Sequence, residues 1–229
     1  MEFLSWLELN FGVVYAYKEL FIRGFFMTIF LTASAVLMGT VLGLFLGLGK
    51  LSKKRLLNVP AKAYIELFRG TPLFVQILVI HFAAIPTIFE AINAAIPGPI
   101  FSGVVALTLN SGAYVAEIFR GGIESIDRGQ MEAARSLGMT HGQAMWLVII
   151  PQAFKRMLPP LGNEFIALLK DSSLLAFIAV NELTYAGFVS AKSTFIRWGP
   201  YITIAILYLI LTLIFSKVVN YMERKLKTE

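Results

Sequence analysis

Two stretches of this 229-residue sequence place charge where charge is expensive. In LNSGAYVAEIFRGG, Asn110, Tyr114 and Glu117 stand at i, i+4 and i+7 and so share one helix face. In PPLGNEFIALLKDSSLLAFI, Asn163, Glu164, Ala167, Lys170 and Asp171 draw a polar stripe along an otherwise apolar helix. An acid at the centre of a membrane helix costs roughly 2.5–3.5 kcal/mol to insert, so such a stripe does not face lipid tails. These residue types suit recognition: a carboxylate pairs with a desolvated cation, and Asn, Gln and Tyr complete the hydrogen bonds of a polar solute. Glu117, Asn163 and Glu164 form the candidate solute-binding set, with Gln76, Asn110 and Tyr114 as neutral partners. Structural readings stand beside these. Glu117, near a helix end, can pair with Arg120 or Arg128, and Lys170 and Asp171 can neutralise neighbours elsewhere in the bundle.

Bond-making sets are weak by comparison. There is no GxxxxGK[ST] phosphate loop, so hydrolysis of a nucleotide by this chain is not expected. Ser172 and Ser173 lack a nearby base, and helix-interface hydrogen bonding suits them better. His81 and His141 fall in different compartments of the inferred topology, so no metal site is expected. Without cysteine there is neither a disulfide nor a thiolate ligand.

The elements that must position these side chains are membrane helices. The composition is 57% hydrophobic and 15% charged, with a mean hydropathy of +0.73. Apolar runs at Phe25–Leu48, Leu73–Phe89, Ile100–Phe119, Phe165–Val180 and Tyr201–Val219 compare with the roughly 20 residues that cross about 30 Å of hydrocarbon. The expected fold is therefore all-α and polytopic, one membrane domain over 1–229 with about five spans. The net charge of +6 sits beside the ends of these runs, which points to lipid rather than nucleic acid. Lys50, Lys53, Lys54 and Arg55 follow the first run and Arg224, Lys225 and Lys227 the last, whereas the stretch from Pro86 to Pro99 has no Lys or Arg. The positive-inside rule then places the N-terminus outside and the C-terminus in the cytoplasm. MEFLSWLELN lacks the marks of a cleaved signal and is expected to form an interfacial helix.

Three finer features follow. Gly39, Gly43 and Gly47 allow close approach of a second backbone, within the subunit or between subunits. In VPAKAYIELFRGTPLFVQ a helix is expected to end at Gly70 and another to start with Thr71 as N-cap and Pro72 at the first helical position. Such a break survives in lipid only where protein or water satisfies the freed backbone groups. Finally, the polar segment at about 123–155 is too long for a tight turn. Its residues 132–137 suit a short helix, Gly138 its C-terminal cap and Thr140 the cap of the next helix, which together make a knuckle on the cytoplasmic side.

Glu132-Ala133-Ala134, three residues, Gly138, nine residues and Val148-Ile149-Ile150-Pro151 resemble the EAA signature of ABC transporter permease subunits. Val148 and Ile150 replace the Ile and Leu of that pattern. ELFRGTPLFVQ, SGAYVAEIFRGGI and PQAFKRMLPPLGNEFIALLKDSSL extend the resemblance to the polar amino acid uptake permeases, from about Gly24 to Tyr221. The resemblance implies a type I importer fold, a second permease subunit and an extracytoplasmic solute-binding protein. It also implies cytoplasmic ATPase subunits that carry the ATP and magnesium, with no cofactor in this chain. Glu132, Ala133, Ala134, Arg135 and Gly138 would form the coupling helix that docks on the ATPase. The substrate would be an amino acid, and two carboxylates in the path tilt it toward arginine, lysine or histidine. The competing readings are a passive channel, an ion-coupled carrier for small polar solutes, and a scaffold that binds an ATPase without transporting.

Overall fold

The structure, a computed structural model, describes residues 2–226, and among these it contains nine helical elements and no strand. They are α1 (Glu2–Ala16), α2 (Lys18–Leu51), α3 (Arg55–Gly70), α4 (Leu73–Ala91), α5 (Pro99–Glu124), α6 (Arg128–Ser136), α7 (His141–Ile178), α8 (Leu183–Thr194) and α9 (Trp198–Leu226). Helix α4 contains a π turn over Ile80–Ala84, and α7 contains another over Met145–Ile149 and tightens to a 3-10 helix over Ser172–Ile178.

Helices α2, α4, α5 and α9 are long and apolar enough to cross a membrane. The bent pair α7 and α8, which meet at 44°, is together long and apolar enough to make a fifth. This corrects the expected fourth span at Phe165–Val180. The helix enters much earlier, at His141, and stops at Ile178, where Ala179 adopts a left-handed φ of 58°. Asn181 and Glu182 end the apolar run at the bend, so a hydropathy reading stops there, whereas the chain resumes as α8 because Glu182 is buried as its N-cap.

Helix α2 lies along α5. Gly39, Gly43 and Gly47 face Ser111, Val115 and Ala116 in turn, so the glycine ladder serves packing inside the subunit. The main core forms where α2, α4, α5 and α7 meet, around Leu31, Ile77, Leu107, Leu168 and Leu175. A second cluster of Ile126, Ile149, Ala153 and Met157 seats the segment between α5 and α7 against the bundle. Helix α1 is tied to α9, where Gly199 N donates to Asn10 Oδ1 at 3.2 Å.

A Cβ added at Gly43 would lie 2.6 Å from Val115 Cγ1 and 2.9 Å from Ala116 N, whereas one at Gly12 meets nothing within 4 Å. Gly43→Ala should therefore cost about 1–3 kcal/mol by overpacking, and Gly12→Ala should be neutral or stabilising by up to about 1 kcal/mol. Melting of the purified protein in detergent checks this: a drop of several degrees is expected for the first and none for the second.

Candidate functional site

The break between α3 and α4 leaves the last carbonyls of α3 without helical partners, and Gln76 captures them. Its Nε2 donates to Phe68 O at 2.8 Å, Thr71 O at 3.0 Å and Thr71 Oγ1 at 2.9 Å. The expected cap differs in detail. Pro72, not Thr71, occupies the N-cap position of α4, and the Thr71 hydroxyl turns back to donate to Leu67 O at 2.8 Å. The orphan carbonyl one turn behind offers Thr71 Oγ1 an acceptor that the next helix does not supply. Gln76 Oε1 in turn accepts from Asn110 Nδ2 at 3.0 Å, and both amides are buried. Two of the predicted neutral partners are thus brought together, bonded to one another and to the break.

Glu117 stands two turns further along α5 and is a hub of positive partners. It accepts from Lys50, which closes the end of α2 onto α5, and from Arg120 at 2.9 and 3.1 Å, while Arg69 stands 3.7 Å away. Arg128 takes no part in an ion pair within 4 Å among the described residues. The Arg69 guanidinium lies over the Tyr114 ring, 5.3 Å from its centroid. Glu117, Tyr114 and Asn110 do share one face, but Glu117 arrives there already paired.

The stripe of α7 is different. Asn163, Lys170 and Asp171 are exposed, and Glu164 is half-buried, facing the Ser111 hydroxyl with Asp171 as the next acid along the helix. The expectation that Lys170 and Asp171 neutralise neighbours in the bundle does not hold: neither forms an ion pair with another element among the described residues. Both are exposed, and the charges that act on Asp171 and Glu164 are those of α7 itself. A polar face on a membrane-crossing helix requires water or a protein surface opposite it.

One polar residue escaped sequence reasoning. Glu182 is fully buried at the start of α8, where its carboxylate accepts from Thr184 N at 2.8 Å, Tyr185 N at 2.7 Å and the Tyr208 hydroxyl at 2.8 Å. It caps α8 and pins the α7–α8 bend to α9. An acid at a helix start was the available signal, but its partner Tyr208 lies 26 residues away and is invisible to local spacing.

The knuckle between α5 and α7 forms as its residues dictate. Asp127 caps α6 by accepting from Gly129 N at 2.7 Å. Gly138 at φ 84° ends the helix, with its N–H on Arg135 O at 3.0 Å and that of Met139 on Ala134 O at 3.3 Å, the two bonds of a Schellman motif. Thr140 and Gln143 then make a reciprocal capping box. Glu132, Ala133, Arg135 and Gly138 are exposed, and Leu137 is 84% exposed, whereas Ala134 turns inward. Gln152 Nε2 of α7 donates to Gln130 Oε1 of the knuckle helix at 3.2 Å, and Arg156 of α7 donates to Ser125 O at the end of α5, where the knuckle begins.

Comparison with known proteins agrees with this arrangement. Residues 39–228 match the family described as binding-protein-dependent transport system inner membrane component. The chain is 36% identical over 220 residues to the probable glutamine ABC transporter permease protein GlnM of Bacillus subtilis (strain 168), covering 96% of this chain and 99% of that one. It is 33% identical over 222 residues to the arginine transport system permease protein ArtQ of the same organism, covering 97% and 99%. Among solved structures, a chain of an amino acid ABC transporter with histidines superposes with a TM-score of 0.86 at 46% identity, covering 94% of this chain and 98% of that one.

Gln76→Leu would strand Phe68 O, Thr71 O and the Asn110 amide in an apolar setting. At about 1–3 kcal/mol for each unsatisfied buried group, the variant should melt well below the wild type or fail to accumulate in the membrane. Gly138→Ala meets no steric obstacle but must hold a left-handed conformation, so it should cost only about 1–2 kcal/mol. Denaturant or thermal unfolding of the two variants should show this order.

Proposed function

The chain belongs to the binding-protein-dependent transport system inner membrane component family, and on that premise we propose that it is the permease subunit of an ATP-driven ABC importer for amino acids, basic ones in particular. The observation that carries the import reading is the knuckle: a short helix ended by a left-handed glycine, with exposed Glu132, Ala133 and Arg135, joined to α5 through residues 125–127 and hydrogen-bonded to α7. A helix tied to two spans moves with them as one body. ATPase subunits closing on ATP and magnesium push the docked knuckle, α5 and α7 swing, and the solute path opens to the other side; hydrolysis resets it. This chain supplies positioning and no hydrolytic chemistry.

The solute path runs along the outward polar face of α7, completed by a second permease subunit, because Asn163, Lys170 and Asp171 are exposed and neither charge forms an ion pair with another element among the described residues. Glu117 already has Lys50, Arg69 and Arg120, so the acids free to meet a substrate cation are Glu164 and Asp171. That pair supports the basic side chain, with Asn163 as a neutral contact. The extracytoplasmic solute-binding protein delivers substrate at the N-terminal side of α5, and the membrane is the bacterial inner membrane, with the N-terminus outside and the C-terminus in the cytoplasm. The charges at the ends of α2 and α9 support this orientation.

The full assembly, reconstituted in liposomes with its ATPase and solute-binding protein, should accumulate arginine, lysine or histidine against a gradient only with ATP. Glu164→Gln should lower arginine uptake at least tenfold, since losing one partner of a buried charge pair costs about 2–5 kcal/mol. Uptake without ATP would support a channel instead, and unchanged arginine uptake in the variant would remove Glu164 from the path.

A further inference from the structure

The ion cluster at the cytoplasmic end of α5 contains an excess of positive charge that the chain does not use. Three cations, Lys50, Arg69 and Arg120, surround the single carboxylate of Glu117. Arg120 also reaches Glu124, which leaves one cation in surplus over these two acids. The three are not equivalent. Lys50 and Arg120 hydrogen-bond to Glu117, whereas Arg69, at 3.7 Å, donates no hydrogen bond among the described residues. Glu66, one turn earlier on α3, forms no ion pair with it within 4 Å. The Arg69 side chain is 43% exposed, against 15% for Glu117, so its free donors face outward.

Arg69 is nevertheless held. It sits in the last turn of α3, beside the break that Gln76 fixes, and the Tyr114 ring lies beneath its guanidinium at 5.3 Å. A cation over an aromatic face is positioned without spending its N–H donors. A planar guanidinium with unspent donors matches a carboxylate, which it can bind through two parallel hydrogen bonds. Glu117 tempers the surplus charge, so an anion bound there can leave again.

We infer that Arg69 is a binding residue for the α-carboxylate of the transported amino acid on its way through the cytoplasmic half of the path, with Tyr114 as its positioning residue. The inference rests on the amino acid import reading above and deepens it. The side chain is read by the acids of α7, and the group common to all amino acids is read by Arg69.

The test uses the purified permease–ATPase assembly without solute-binding protein, so that only the permease's own recognition is measured. Calorimetry compares L-arginine and L-glutamine with their α-carboxamides. The wild type should bind at least one amino acid tenfold or more tighter than its carboxamide, and Arg69→Gln should bring that ratio within about twofold while carboxamide binding stays near the wild-type level. Arg69→Lys keeps the charge and the fold but loses the fork, and should lower the ratio at least threefold. A merely structural Arg69 would weaken acid and amide alike. A wild-type ratio in Arg69→Gln, or in Arg69→Lys where the first variant does not assemble, overturns the carboxylate assignment and leaves the import reading standing. A wild-type assembly that binds neither amino acid overturns both.

Discussion

In hydrocarbon, a backbone group that leaves its helix must find another partner inside the protein, and the two bends of this chain depend on that requirement being met. At the first, the side-chain amide of Gln76 takes the carbonyls that α3 releases. At the second, the carboxylate of Glu182 takes the N–H groups that open α8, and the Thr28 hydroxyl takes the Leu183 N–H at 3.2 Å. Each side chain is also bonded to a separate span, Gln76 to α5 through Asn110 and Glu182 to α9 through Tyr208. The bends are therefore fixed joints of the bundle. Motion in such a structure belongs to whole helices and to the segments that join them.

Polar side chains accordingly divide into two populations. Gln76, Asn110, Glu117 and Glu182 satisfy demands that arise within the chain. Asn163, Lys170, Asp171 and Arg69 present charge or hydrogen-bonding capacity outward, and Glu164 lies at the border between the two. The first population maintains the shape, and the second gives that shape something to recognise. The knuckle belongs with the first in its caps and ties and with the second in its outward Glu132, Ala133 and Arg135.

What the sequence made legible was the local part. A glycine ladder, the helix stop at Gly70, and the glycine turn and Thr140 cap of the knuckle are set by residues within a few positions of one another, and each reappears in the structure. What it hid was set at a distance. Lys50 reaches Glu117 across 67 residues, so the acid that looked available for a solute is already paired. Nothing local marked Glu182, because its role depends on Tyr208. The continuation of the helix past the bend at Ala179 was masked by Asn181 and Glu182, and Thr71 turned back because α3 left it an acceptor.

The account stands or falls on whether the outward stripe of α7 lines a solute path. The chain has no cysteine, so single thiols can report on it directly. Asn163→Cys and Asp171→Cys, assembled with the ATPase, should react quickly with a membrane-impermeant maleimide and be slowed by L-arginine, while Leu213→Cys on α9 should react slowly whether or not arginine is present. Labelling of the α7 positions as slow as that at Leu213, with no effect of substrate, would contradict it.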